Sequence, residues 1–336
     1  MRLLFRIFFL PFLLWPITPD LLGAEKQTVI IDRGAWGRLA RLPAKDWLAV
    51  LTRFSQREPS RLSLYRSTNH CRSWDLLYEI REPGRKLDNG ELLTLSNRVV
   101  WLTCRSVIDE QSYQLPVYCS KDQGRTWTRI GSVDNSEGPP GALRHKGLWE
   151  PFLFMLPDGT ISAIYSSEKH PGYSQVLSQK VSYDGGNTWG PEKRIVEQPN
   201  GGNLRPGMGV VARLSDGRFI LVYEIVGIGR GQVHFKLSPD GITWPTGLGT
   251  PIPGHEAAPY VTVLANGNIL LTSCSNILST SNDAGTTWHT AKSPLPGGFK
   301  YTWPALYEIA PDQVAVSLSS GSVRLLSFQL EAARQP

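Results

Sequence analysis

The sequence is poor in everything that a metal, a membrane or a nucleic acid would require. Its four cysteines, Cys71, Cys104, Cys119 and Cys274, and its six histidines are dispersed without the spacing of a metal-ligand set. No metal and no cofactor is therefore expected. The one long apolar run, from Ile7 to Trp15, is too short and too broken by Pro11 and Pro16 to cross a bilayer as a helix. Lysine and arginine are scattered without a basic run, which argues against nucleic acid even though the formal charge is +6. There is no Asn-x-Ser/Thr sequon, no motif for Ser/His/Asp catalysis, no helical stretch of consequence and no linker.

The first 24 residues read as a secretory signal: Arg2 and Arg6, the apolar run, then Leu22-Gly23-Ala24 as a cleavage site. An uncleaved anchor is the alternative. Without that segment 33 basic residues face 28 acidic ones, so the charge falls to +5. The expected product is a monomer exported to the periplasm or the medium, with residues 25–336 as one domain. Export permits disulfides. Cys104 and Cys119 could face each other across one hairpin, with buried free thiols the equal alternative.

What the chain does contain is one phrase, Ser-x-Asp-x-Gly-x-Thr-Trp, written repeatedly. It stands at Ser120-Asp122-Gly124-Thr126-Trp127, at Ser182-Asp184-Gly186-Thr188-Trp189 and at Ser281-Asp283-Gly285-Thr287-Trp288. A copy one residue shorter is Ser238-Asp240-Gly241-Thr243-Trp244, and a degenerate one is Ser67-Asn69-Cys71-Ser73-Trp74. Ser and Asp oxygens can accept backbone N–H groups and close a tight turn, while Gly supplies a positive φ. A calcium loop would need a terminal carboxylate and flanking helices. The phrase thus reports scaffold, and repetition at this interval points to a propeller.

A second series of turns runs in counterphase: Pro157-Asp158-Gly159, Ser215-Asp216-Gly217 and Ala265-Asn266-Gly267, with weaker members at Pro43-Ala44-Lys45-Asp46 and Ala310-Pro311-Asp312. Each lies between apolar alternations of strand type. Four strands per unit, with units starting near residues 36, 88, 148, 204, 257 and 301, predict an all-β, six-bladed propeller. Thr28 to Asp32 is expected to complete the last blade and close the ring.

In a propeller the innermost strands line the axis, so polar residues interrupting them are the candidates for chemistry. Glu150 stands at the start of an apolar strand, and Glu224 ends the apolar run Phe219-Ile220-Leu221-Val222-Tyr223. A carboxylate in such a place is costly unless paired or used. Two that converge at the axis would equip the chain for glycoside hydrolysis. The alternative is a pair of rim residues, each bound to an arginine.

The Asp boxes resemble those of the sialidase superfamily, the BNR-repeat propellers. The passages Trp149-Glu150-Pro151-Phe152, Tyr165-Ser166-Ser167-Glu168, Arg205-Pro206-Gly207-Met208 and Tyr223-Glu224 are similar, in order and spacing, to the exo-arabinanases of glycoside hydrolase family 93. The resemblance implies a retaining enzyme that releases arabinobiose from α-1,5-linked arabinan with two glutamates, here Glu150 and Glu224; Glu150 is favoured as nucleophile and Glu224 as acid/base, with the exchanged roles left open. Arg38, Asp88, Trp149, Tyr165, Arg205, Tyr223, Tyr260 and Tyr301 are the expected substrate contacts, with Glu168 at the rim. Gly209 departs from the expected Pro, and Asp88-Asn89-Gly90 matches only loosely. A sialidase, with Tyr301 as a mimic of its nucleophile, would need three arginines to hold a carboxylate. Arg38 and Arg205 offer two, and no arginine occurs between Arg230 and Arg324. A binding module without catalysis is the third reading.

Overall fold

The computed structural model describes residues 22–43, 45–95, 98–291, 295 and 300–330, with backbone alone for 22–26. Its 24 strands form six four-stranded antiparallel sheets, and no helix occurs among the described residues. The expected signal segment lies outside these residues except for Leu22, Gly23 and Ala24, which open β1 (Leu22–Arg33).

Strand β1 belongs to the last sheet. The first blade is β2 (Ala35–Arg41), β3 (Trp47–Arg53), β4 (Arg61–Ser67) and β5 (Asp75–Ile80). The second is β6 (Lys86–Thr94), β7 (Val100–Ile108), β8 (Ser112–Ser120) and β9 (Thr128–Glu137). The third is β10 (Leu148–Met155), β11 (Ile161–Ser167), β12 (Val176–Ser182) and β13 (Lys193–Val196). The fourth is β14 (Arg205–Arg213), β15 (Phe219–Val226), β16 (Gln232–Ser238) and β17 (Thr250–Glu256). The fifth is β18 (Tyr260–Val263), β19 (Ile269–Thr272), β20 (Leu278–Ser281) and β21 (His289–Ala291). The sixth runs β22 (Thr302–Ala310), β23 (Gln313–Ser319), β24 (Ser322–Leu330), and takes β1 as its outer strand.

Each innermost strand touches the innermost strand of both neighbours, so β2, β6, β10, β14, β18 and β22 close a ring. The N-terminal strand pairs with β24 from Leu22↔Leu330 to Arg33↔Ser322 and joins the two ends of the chain. The predicted Thr28 to Asp32 segment is part of it. Apolar faces pack between blades, as where Leu48, Val50, Leu62 and Leu64 meet Leu87, Leu92 and Leu102. Each such buried leucine contributes on the order of 2 kcal/mol.

The repeated phrase is the turn between the third and fourth strands of a blade. Ser120 Oγ donates to Asp122 Oδ1 at 2.8 Å and accepts from the Gly124 N–H at 2.7 Å. Asp122 also accepts from the Thr126 N–H at 2.9 Å and from Thr126 Oγ1 at 2.6 Å. The degenerate copy closes the same way, with the Cys71 N–H on Ser67 Oγ and the Ser73 N–H on Asn69 Oδ1, both at 3.0 Å. Six blades carry five copies for a topological reason. In the sixth, the third and fourth strands are β24 and β1, which no turn connects.

The cysteine pairing across a hairpin is not met. Cys119 stands opposite Trp101 rather than Cys104, and all four cysteines are free thiols.

Candidate active site

Strand order puts both series of turns at one mouth of the ring and leaves the starts of the innermost strands at the other. At that second mouth every innermost strand carries a residue in the left-handed region. These are Trp36 (φ 56°), Asn89 (50°), Glu150 (53°), Met208 (55°), Ala258 (44°) and Trp303 (50°). Five lie in β-bulges, marked by register shifts between Ala35 and Arg38, Asp88 and Glu91, Trp149 and Phe152, Gly207 and Val210, and Thr302 and Ala305. Ala258 holds the same place just before β18. A bulge re-aims one side chain out of the ladder and stores local strain, and such strain gathers at functional sites.

Glu150 uses its bulge to reach the next blade. Its Oε2 accepts the Met208 N–H at 3.0 Å and the Ser166 hydroxyl at 3.0 Å. Glu224 stands on the second strand of that next blade, opposite Gly207, and its Oε2 accepts the Ala258 N–H at 2.6 Å. Both carboxylates thus hold the N–H of the left-handed residue of the blade that follows. Ser319 Oγ does the same for the Trp36 N–H at 3.1 Å, and Cys274 engages the Trp303 backbone. A glycine at 207 is what leaves room: a Cβ there would stand 2.8 Å from Gln175 Nε2 and 3.4 Å from Glu150 Oε2.

Burial is the chief influence on both carboxyls, although each keeps an accessible edge. Glu224 is pushed up to about 7, by burial first and by the negative charge of Glu150 second, against the pull of the Ala258 N–H and Arg205. Glu150 is also raised by burial, but the Met208 N–H, the Ser166 hydroxyl, Arg105 and Arg205 all favour its ionised form. The environments therefore differ in kind. Glu150 has two hydrogen-bond donors and two cations; Glu224 has one donor, one cation and an anionic neighbour. That is the separation an acid/base and a nucleophile require.

Two arginines, Arg205 and Arg105, act on the pair, and a third, Arg38, lies in a buried layer apart from it; each has its own carboxylate. Arg205 Nη2 meets Glu168 Oε1 at 2.5 Å and Gln175 Oε1 at 2.7 Å, while its Nη1 reaches Ser174 Oγ at 3.1 Å. Glu168 is therefore not a free rim residue; it is buried, and its other oxygen accepts the Gly147 N–H at 2.8 Å. Arg105 Nη1 bonds Asp88 Oδ2 at 3.0 Å, and its guanidinium lies 3.5 Å over the Trp149 ring. Asp88 Oδ1, Arg105 Nε and Trp149 Nε1 are buried with no protein partner. Arg38, only 2% exposed, pairs with Glu91 at 3.4 Å, stacks on Trp36 at 4.4 Å and donates to the Trp303 carbonyl at 3.0 Å.

The structure brings Glu150, Glu224, Arg205, Asp88 and Trp149 to this mouth and separates the remaining expected contacts from it. Tyr165 is fully buried between blades with its hydroxyl on Asp134 at 2.8 Å. Tyr223 is fully buried too, bonded to the Leu248 carbonyl at 2.7 Å and stacked on His234. Neither leaves a ring face for a sugar, because alternate residues of these strands face the interblade core. Arg38 and Tyr260 lie in a buried layer with Glu91. Tyr301 is half-buried and packs against the largest core cluster. The residues that reasoning from sequence passed over are Glu91, Gln175, Asn89 and Trp303. The bulges carry a signal that an alignment of the six units would show: each left-handed residue is followed by Gly37, Gly90, Pro151, Gly209, Pro259 or Pro304. Among the described residues, no three His, Cys, Asp or Glu side chains gather as a metal site.

The model of the BNR repeat-like domain family matches residues 137–335. Among solved structures, the chain is similar to an α-L-arabinanase from Penicillium chrysogenum complexed with arabinobiose. The TM-score is 0.78 at 22% identity, over 93% of this chain and 99% of that one. It is similar to the family 93 α-L-arabinofuranosidase of Fusarium graminearum with arabinobiose, at TM-score 0.78 and 18% identity, over 90% of this chain and 97% of that one. An intramolecular trans-sialidase from Ruminococcus gnavus shares the fold at TM-score 0.62 and 11% identity, over 91% of this chain and 96% of that one. At such identities these likenesses carry the fold alone. No curated protein matches the chain significantly.

Proposed function

The chain belongs to the BNR repeat-like domain family, and we propose that within it this protein is an exported, exo-acting glycoside hydrolase that cleaves α-1,5-linked arabinan with retention of configuration. The observation that carries the reading is the pair Glu150 and Glu224. The two come from consecutive blades to one mouth, close enough that the charge of Glu150 helps to raise Glu224 to about 7. A propeller that only bound glycans would have no use for two buried, mutually repelling carboxylates.

In the proposed reaction a carboxylate oxygen of Glu150 attacks the anomeric carbon while Glu224 gives its proton to the glycosidic oxygen, and the leaving sugar departs as an alcohol. Glu224, now a carboxylate, takes a proton from water as that water's oxygen attacks the anomeric carbon and frees Glu150. Asp88, Trp149 and Arg205 border the sugar. The arabinose-active proteins that the fold resembles, and the passages around Glu150 and Glu224, favour arabinan as substrate. Release of arabinobiose in particular rests on the family resemblance, and export rests on the apolar run near the N-terminus.

The sialidase reading is weaker on charge. Arg38 is sealed in a buried pair with Glu91, Arg205 is neutralised by Glu168, and Arg105 by Asp88. With three arginines matched by three carboxylates, Glu150 and Glu224 leave the site net negative when ionised, which suits a neutral sugar better than an acidic one. The test is product analysis on linear arabinan, with sialyllactose as control and Glu150→Gln beside wild type. Arabinobiose from wild type alone is the expected result. Undiminished release by Glu150→Gln would remove Glu150 from the mechanism, and turnover of sialyllactose alone would replace the substrate.

A further inference from the structure

We propose that Asn89 is a substrate-binding residue that holds the 2-hydroxyl of the sugar whose anomeric carbon meets Glu150; this rests on the glycosidase reading above. Asn89 occupies in the second blade the position that Glu150 occupies in the third. Both are left-handed residues at the bulge of an innermost strand, φ 50° and 53°, and their preceding residues pair across to the second strand alike, Asp88↔Arg105 and Trp149↔Ser166. The two blades are adjacent in the ring, and the Arg105 guanidinium lying 3.5 Å over Trp149 ties the Asn89 bulge to the Glu150 bulge.

Asn89 is half-buried, and among the described residues no hydrogen bond reaches its side-chain amide. Beside it, Asp88 Oδ1 and Arg105 Nε are buried and unpartnered as well. A half-buried amide held at a left-handed backbone position, beside two buried polar atoms that lack partners, is placed to be completed by a ligand. Asparagine does tolerate left-handed φ better than most residues. That preference does not account for the choice, since the equivalent places in the ring hold Trp36, Glu150, Met208, Ala258 and Trp303. An amide both donates and accepts, which matches a sugar hydroxyl and not a carboxylate or a cation. A hydroxyl bond next to the reacting carbon strengthens as charge develops there, so its loss appears mainly in kcat.

The test compares wild type with Asn89→Gly and Asn89→Ala on two short α-1,5-arabino-oligosaccharides, one natural and one with a 2-deoxy sugar at the cleaved end. Glycine suits the backbone conformation and keeps the protein folded while removing the amide. On the natural substrate kcat/KM is expected to fall about 10- to 100-fold in both variants, chiefly through kcat. On the 2-deoxy substrate the variants and wild type are expected to coincide within about twofold. An Asn89→Gly protein with wild-type turnover of the natural substrate would overturn the inference alone, and so would an equal loss on both substrates. A wild type inactive on both substrates would instead overturn the glycosidase reading, and this inference with it.

Discussion

The Met208 backbone N–H donates to Glu150 Oε2 at 3.0 Å across the boundary between the third and fourth blades. Met208 is itself the left-handed residue of its strand, and the neighbouring Gly207 stands opposite Glu224. One bulge thus caps the first carboxylate while the residue beside it faces the second. Geometry at that bulge governs the distance between them, which makes the pair sensitive to changes that leave both glutamates in place.

Gly207→Ala should therefore impair catalysis without unfolding the protein. The added Cβ would crowd Gln175 Nε2 at 2.8 Å and touch Glu150 Oε2 at 3.4 Å. A displacement of this kind is expected to lower kcat about 10- to 100-fold with a near-normal melting temperature. Steady-state kinetics beside a thermal melt would show it. A variant with wild-type kcat would mean that the spacing is not set here.

The two glutamates should differ in rescue. Glu224→Ala is expected to lose about 100-fold or more on arabinan but far less on an aryl arabinoside whose leaving group needs no proton. Glu150→Ala should lose on the order of a thousandfold or more on both. A reversed pattern would exchange the roles.

Raising Glu224 to about 7 also carries a stability cost with a definite sign. An acid whose folded pKa lies above its unfolded value of about 4.3 is held more tightly in its protonated form by the fold. Stability from this group is complete below about pH 4 and is lost as pH rises towards about 7. Glu224→Gln should therefore melt higher than wild type at pH 8, by on the order of 2 kcal/mol, with the difference shrinking by pH 4. Over the same range kcat/KM of wild type should fall as the acid loses its proton. Melting curves that differ equally at both pH values would contradict this account of Glu224.

The Asp boxes lie at the other mouth, so their loss should affect stability alone. Asp122→Ala frees the Thr126 N–H, Thr126 Oγ1 and Ser120 Oγ from their acceptor. The expected cost is about 1 kcal/mol, with kcat unchanged. A large fall in kcat without loss of stability would place the box in the function after all.

Much of the scaffold was legible because its determinants are local. Each box closes through hydrogen bonds spanning four or fewer positions, so Ser, Asp and Gly at set spacing announce the turn wherever they recur. Even Ser67-Asn69-Cys71 closes, since Asn69 Oδ1 accepts as an aspartate would. The carboxylates were legible as costly residues in apolar strands. Tyr165 and Tyr223 were misread for the same reason: an aromatic beside a functional residue in sequence points to the opposite face of the strand. The role proposed for Asn89 rests on its position in the ring, which no local pattern announces.

The sequence by itself determined the unit and the number of units, and offered Glu150 and Glu224 as candidates, because turn chemistry and strand alternation act between near neighbours. Only the tertiary structure decided what those carboxylates meet. The partners of Glu150 and Glu224 are the N–H groups of Met208 and Ala258, 58 and 34 positions further along the chain. Backbone N–H groups carry no signature in a sequence. They become a site only when closure of the ring sets one blade's bulge against the side chains of the blade before it.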